Sequence, residues 1–197
     1  MADVFSVQIA WRLRNMVSRS CIRLIRQCLG QRSDLKLDDV RLGRVALHYE
    51  PRLIKPAQIE ALFLDLGFPR VKNEDEALVE AIKIAAIELI HYAYNANSLI
   101  RNSDYLSEKL QKPYDQLSRV FSAQTGLTLE QYIIRLKIEK VKELLAEETY
   151  SLSEIAFMLG YSSVQYLSNQ FRKITGMTVT AFKQDPLAHR QPLEELA

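Results

Sequence analysis

A glycine turn between two capped segments constrains this chain more than any other stretch. Residues 151–183 read SLSEIAFMLGYSSVQYLSNQFRKITGMTVTAFK. Ser151 and Glu154 form an S-x-x-E capping box, which satisfies the free N–H groups of a helix starting at Leu152. Ile155, Ala156 and Leu159 give that helix one apolar side. Gly160 is suited to the left-handed conformation that ends a helix. Ser162 is expected to cap a second helix, with Leu167, Phe171 and Ile174 as its buried stripe. Val164, Gln165, Ser168, Asn169 and Arg172 then lie on the opposite face. Amide and guanidinium groups read base edges in the major groove, so this face suits duplex DNA. Two helices and a tight turn, with the second helix presented outward, make a helix-turn-helix. Ordinary helical hairpins share that spacing, and the spacing alone leaves both readings open.

The side chains along the stretch add specificity. Ile155-Ala156, Gly160-Tyr161, Ser163, Tyr166-Leu167, Phe171-Arg172-Lys173 and Gly176-Met177-Thr178 follow the pattern I-A-x-x-x-G-[YF]-x-S, Y-[FL], F-[RK]-[KR], G-M-T. In these residues the run resembles the C-terminal half of the AraC family DNA-binding domain. Val179 stands where that family usually carries Pro. Upstream, Leu117-Ser118-Arg119, Phe121 and Gly126 match the family's first reading helix, preceded by a supporting helix over 103–110 and by Pro113, placed to open the next helix. Leu117 and Phe121 form its buried stripe, leaving Asp115, Ser118, Arg119 and Ser122 outward. Gln111 replaces the usual turn glycine, which predicts a wider turn. Thr128 and Gln131 cap a helix running to about Ala146. Its Tyr132-Ile133, Lys137-Ile138 and Glu139-Lys140 match the family's connecting helix.

The resemblance covers about residues 101–184. It implies a sequence-specific double-stranded DNA-binding protein, a bacterial transcription regulator. The DNA-facing residues it implies are Asp115, Ser118, Arg119, Val164, Gln165, Ser168, Asn169, Arg172 and Lys173. Arg119, Gln165 and Asn169 are assigned to bases, because Arg pairs with guanine and Gln or Asn with adenine. Arg172 and Lys173 are assigned to phosphate. Asp115 would repel phosphate but accept a hydrogen bond from cytosine N4.

The first 72 residues are of another kind. Phe5–Leu13 is rich in β-formers, a helix is expected from about Ser18 to Leu29, and 35–37 and 45–49 read as strands around Gly43. Pro56 opens a helix that stops at Gly67, and 68–72 is expected as a short closing strand. Strand-helix-strand-strand-helix-strand is the ferredoxin-like order. Asn15-Met16-Val17-Ser18-Arg19-Ser20-Cys21, Tyr49-Glu50-Pro51 and Leu66-Gly67-Phe68 resemble the metal loop, third strand end and second helix end of heavy-metal-associated domains. Ser18 replaces that family's first metal-binding Cys. A Ser hydroxyl does not ionise near neutral pH or hold a soft metal, so no metal is expected at Ser18 and Cys21. Cys28 lies two helical turns from Cys21, too far to share one ion, and is expected in the core.

The expected fold is therefore an α+β ferredoxin-like domain over 1–72, a linker helix over 73–100, an all-α domain with two helix-turn-helix motifs on a connecting helix over 101–184, and a tail over 185–197. The linker is apolar nearly all round, which predicts packing on both domains or on a second copy, as in a homodimer. His91 within it is expected to be structural. Residues 1–72 carry 13 Lys or Arg against 7 Asp or Glu, whereas residues 101–197 carry 12 of each. A neutral DNA-binding half predicts modest affinity with shallow salt dependence. No Ser-His-Asp order, paired carboxylates or phosphate loop stands out, so neither an enzyme nor a cofactor is expected. With no long apolar run and no leader signature at the start, a cytosolic, nucleoid-associated protein is expected. The N-terminal domain is expected to take a protein partner or a small ligand, with metal sensing or carriage as the alternative.

Overall fold

The computed structural model describes residues 7–92, 101–186 and 188–197. The chain divides into two compact units, Met1–Ile84 and Ala85–Ala197. Residues 5–6, at the start of the expected first strand, and 93–100, at the end of the expected linker helix, lie outside the described residues.

The first unit contains β1 (Val7–Arg12), α1 (Arg19–Leu29), β2 (Leu35–Arg41), β3 (Arg44–Tyr49) and α2 (Pro56–Asp65), with the start of α3 (Glu74–Ile87). The sheet is antiparallel in the order β1-β3-β2. Val7 pairs with Tyr49 at one end and Arg12 with Arg44 at the other. Asp38 is the extra residue of a bulge on β2, where the register shifts between Leu37 and Asp39. Gly43 turns the β2–β3 hairpin at φ +71°, and a Cβ there would sit 2.9 Å from Ile84 Cδ1. Trp11, Leu13, Ile25, Leu29, Val45, Leu47, Ile59 and Phe63 form the core between sheet and helices, with Trp11 and Phe63 edge to face at 6.3 Å.

Two expectations for this unit are corrected. The closing strand is reduced to one bridge, Leu13 with Arg70, supported by Arg14 N–H to Pro69 O and Val71 N–H to Arg12 O, each 2.9 Å. The ladder is cut off on both sides. Upstream, Gly67 at φ +84° and the Phe68 N–H to Phe63 O bond close the end of α2. Downstream, Asn73 Oδ1 already accepts from Glu76 N–H at 2.8 Å and starts α3. Cys28 is exposed and not in the core, because Ile25 and Leu29 occupy the inward positions of that turn.

In the second unit α3 runs into a π-helical turn (Glu88–Tyr92), followed by α4 (Asn102–Leu110), α5 (Tyr114–Thr125), α6 (Leu129–Ala146), α7 (Leu152–Met158), α8 (Val164–Thr175), α9 (Val179–Phe182) and a 3₁₀ turn (Leu193–Glu195). The connecting helix α6 packs against α5, α7, α8 and the π-turn. Its Thr128–Gln131 box and the Ser151–Glu154 box of α7 are both made. Residues 188–197 bind back onto α6. Leu196 is buried, Arg135 donates to Leu196 O, Lys142 to His189 O, and Gln191 N–H to Glu139 Oε2.

Glu143 on α6 gathers His91 Nδ1 at 3.4 Å, Lys140 Nζ and, more loosely, Arg190 at 3.9 Å. Hydrogen bonding from His91, ahead of Lys140, lowers its carboxyl from 4.5 to about 2 despite partial burial. A depressed carboxyl stabilises the fold fully above its unfolded value and loses that contribution as pH falls through the folded value. Urea denaturation should therefore show stability draining between about pH 4.5 and pH 2. Glu143→Gln should lose roughly 1–3 kcal/mol at pH 7 by leaving charged partners unmatched, and should flatten that acid limb.

Candidate nucleic-acid interface

Both outward helices are placed by the same local chemistry. Thr125 Oγ1 donates to Phe121 O at 2.8 Å and accepts from Leu127 N–H at 3.2 Å. Thr175 does the same with Phe171 O and Met177 N–H, at 2.7 and 3.2 Å. Gly126 and Gly176 follow at φ +72° and +77°, as C-caps in the left-handed region. Thr128 and Thr178 then cap the next helices, with Val179 opening α9 in place of the proline pattern. Phe121 packs on Tyr132 with tilted rings at 5.1 Å, and Phe171 meets Phe182 edge to face at 5.5 Å. Each pair of equivalent residues is fifty positions apart, so the unit is an internal repeat. That repeat escapes a reading from helix periodicity. Its visible signal is Thr-Gly-x-Thr at 125–128 and again at 175–178.

Four details of the expected motif are corrected. Ser163, not Ser162, caps α8, its hydroxyl accepting from Tyr166 N–H at 3.1 Å. Ile174 is 41% exposed, so the buried stripe of α8 is Leu167 and Phe171. The turn lacking glycine is not wider. Only Gln111, Lys112 and Pro113 separate α4 from α5, and Gln111 itself adopts the left-handed conformation at φ +53°. Its Nε2 donates to Glu108 O at 2.7 Å, which helps an amide side chain occupy a position that favours glycine. Pro113 caps α5 and does not occupy its first turn.

The expected contact residues fall on the two outward helices. On α5, Asp115 is exposed in the first turn, Ser118 is half-buried and Arg119 is exposed. On α8, Val164 and Ser168 are half-buried, while Gln165, Asn169, Arg172 and Lys173 are exposed. Gln165 Nε2 donates to Asn169 Oδ1 at 3.0 Å, which aligns the two amides one turn apart. Its carbonyl and the Asn169 amino group remain available for a bidentate partner. Arg119, Arg172 and Lys173 form no ion pair among the described residues. Arg172 and Lys173 occupy the last turn of α8, where cations also complement the helix dipole.

Two further residues shape this surface without being expected from the sequence. Tyr166 is 49% exposed, accepts from Gln170 Nε2 at 3.1 Å and lies 6.0 Å from the Tyr161 ring. Lys137 of α6 donates to Leu159 O at 2.8 Å, satisfying a carbonyl at the end of α7, and sits 5.6 Å from the Tyr161 ring. Burial lowers the Lys137 pKa and raises that of the Tyr161 hydroxyl. Gly160 turns at φ +68° beside this lysine. Lys137 thus fixes the turn that sets the angle between α7 and α8.

A family profile described as "Helix-turn-helix domain" matches residues 106–185. Residues 106–185 are an AraC-type helix-turn-helix domain. Over 68 residues the chain is 35% identical to the probable transcriptional regulator LumQ of Photobacterium leiognathi, covering 34% of this chain and 27% of that one. Over 154 residues it is 24% identical to the HTH-type transcriptional activator RhaR of Mannheimia succiniciproducens, covering 77% of this chain and 52% of the relative. The chain thus spans about half or less of the length of these curated relatives. The crystal structure of a Chromobacterium violaceum transcriptional regulator with an AraC-type domain aligns over 56% of this chain and 96% of its own, at 19% identity and TM-score 0.47.

Outside the AraC-type domain, the loop at 15–21 does not fit a soft-metal site. Ser18 Oγ lies 3.5 Å from Cys21 Sγ, and Cys21 Sγ lies 3.9 Å from Asn15 O. One thiol faces a hydroxyl, and among the described residues no three His, Cys, Asp or Glu side chains converge as metal ligands. The distance between the two atoms shows that a second thiol would fall beside the first. Under reducing conditions the wild-type protein should bind no stoichiometric Cu(I), and Ser18→Cys should gain it in a competition titration. Tight one-to-one binding by the wild type, lost in Cys21→Ala, would make this loop a metal site after all.

Proposed function

We propose that this chain is a bacterial transcription regulator that binds duplex DNA by laying α5 and α8 in successive major-groove segments. The AraC-type domain is the observation that carries the reading. Both relatives described above are transcriptional regulators by name. On this proposal Arg119 reads guanine from α5, and the paired amides of Gln165 and Asn169 read adenine from α8. Ser118, Ser168 and Val164 line the base-facing side, Asp115 faces a cytosine amino group, and Arg172 and Lys173 hold phosphates. No catalytic step and no cofactor is invoked.

The domain limits proposed are 1–72, 73–100, 101–184 and 185–197. The N-terminal domain is proposed to be ferredoxin-like and to have lost its metal site. In support, Arg70 bridges to Leu13 beside the free side of β1, the position a fourth strand of that fold would take. Its proposed role is to hold a protein partner or a small ligand, and a homodimer through the linker helix is part of the same proposal. No described helix is long and apolar enough to cross a membrane, and a cytosolic, nucleoid-bound location is part of the proposal.

The test begins with selection of bound duplexes from a random pool. On the selected site Arg119→Ala and Asn169→Ala should each cost about 1–3 kcal/mol and relax preference at different base pairs. Uniform weakening on every sequence would mean that these side chains touch only the backbone. Two reading helices on one connecting helix should protect segments about 10–10.5 base pairs apart on one face. Inserting half a turn between the segments should abolish joint engagement, and unchanged affinity after that insertion would rule it out.

A further inference from the structure

We infer that the N-terminal unit carries a second DNA contact, in which Arg19, Arg23 and Arg26 on the outer face of α1 grip the phosphate backbone. This inference rests on the DNA-binding reading above, and extends it to a unit with no reading helix.

The three arginines fall at i, i+4 and i+7, one stripe along α1, and all are exposed. The opposite side of the helix is committed to the core through Ile25 and Leu29, with Cys21 and Ile22 partly covered. No acidic residue occurs in α1. Among the described residues none of the three arginines has an ion pair, while the unit's paired carboxylates serve other cations. Glu74 pairs with Arg12, Asp34 with Arg32, Asp39 with Arg41, Asp38 with His48, Glu60 with Arg70 and Glu80 with Lys83. Arg23 has only a hydrogen bond to Ser20 Oγ, at 3.0 Å.

The occupant follows from charge and from side-chain type. Residues 1–72 hold 13 basic and 7 acidic residues, and residues 101–197 hold 12 of each, so the cationic excess belongs to the N-terminal segment of the chain and not to the one that carries α5 and α8. Affinity for DNA comes largely from phosphate neutralisation, which an electroneutral domain supplies poorly. Guanidinium groups bind phosphate oxygens in a bidentate fork. Arg19 to Arg26 spans roughly 10 Å of helix axis, about three nucleotides of one strand. A bilayer surface is the less suited polyanion. Next to the arginines the exposed residues are Ser20, Leu24 and Gln27, with no aromatic side chain to enter an interface.

The experiment uses the full chain and a fluorescent duplex carrying the selected site, with anisotropy measured from about 50 to 200 mM salt. Arg19→Gln/Arg23→Gln/Arg26→Gln should make the slope of log affinity against log salt shallower by about 2–3, and each single variant by about 0.9. The affinity ratio between the selected and a scrambled duplex should not change. The triple Arg→Lys variant keeps the charge and should keep most of the slope. An unchanged slope in the Gln variants, with site preference intact, overturns this inference alone. Loss of the slope in the Lys variant overturns it too, because charge would not be the cause. If the Gln variants keep the slope but no longer sediment with phosphatidylglycerol vesicles that bind the wild type, the stripe belongs to a membrane. Failure of the wild type to bind any duplex would remove the proposed function itself.

Discussion

A twelve-residue helix is marginal in water, and a reading helix must nevertheless point in one direction. In this domain the direction comes from one buried phenylalanine per helix. Phe121 and Phe171 are fully buried, each beside a second ring, Tyr132 or Phe182, from the helix that follows. Burying such a side chain contributes about 1.5–3 kcal/mol, more than a helix of this length gains from its own hydrogen bonds. The polar side is then free of structural duty, which is why Gln165, Asn169, Arg172 and Lys173 stay exposed. The Thr125 and Thr175 bonds back to the phenylalanine carbonyls set where each helix ends, and the next threonine starts its neighbour. Helix direction, helix end and following helix are therefore one linked choice, made twice.

The connecting helix α6 adds charges where apolar packing would suffice. Glu139 and Lys142 pair with side chains only 5% and 6% exposed. Taking both from water costs more than a packed apolar pair would, so stability is a weak reason for them. Their partners give a better one. Glu139 also accepts from Gln191 N–H and Lys142 donates to His189 O, so the pair holds the backbone of the C-terminal segment in one register. Arg135 repeats the device with Leu196 O. Apolar side chains in their place would bury the same area without specifying where that segment lies.

Local chemistry was readable from the letters, and tertiary choices were not. The boxes at Ser151–Glu154 and Thr128–Gln131, the left-handed Gly160 and the stop at Gly67 depend on a few neighbouring residues, and each formed. Ser162 and Ser163 are chemically identical candidates for one cap, and the exit of Gly160-Tyr161 decides between them. Ile174 continues the helical stripe on paper, but the left-handed turn at Gly176 ends α8 within two residues, leaving that side chain 41% exposed. Cys28 looked apolar enough for the core until Ile25 and Leu29 claimed the inward positions. The binding of residues 188–197 to α6 has no local signal, because it is made by side chains about fifty or more positions away in the chain. The side of α5 and α8 on which the proposed contact residues lie was legible from periodicity. The Gln165–Asn169 pairing was not, since an i, i+4 spacing permits that bond without requiring it.

The two halves of the repeat have diverged in the chemistry they present, and this divergence constrains any DNA they meet together. Fifty positions apart, Asp115 stands for Gln165, Arg119 for Asn169, Ser122 for Arg172 and Ala123 for Lys173. Helix α8 ends on two cations, whereas the same turn of α5 has a hydroxyl and a methyl group. On the proposed reading α8 can clamp backbone at its C-terminal end and read bases ahead of it. Helix α5 has one cation in its middle and a carboxylate in its first turn, so backbone is repelled from its start and the groove must present a donor there. Two unlike surfaces on one rigid connector cannot be satisfied by two copies of one half-site. The bound sequence is then directional, and reversing its orientation places Asp115 against the groove segment that suits the amides of α8.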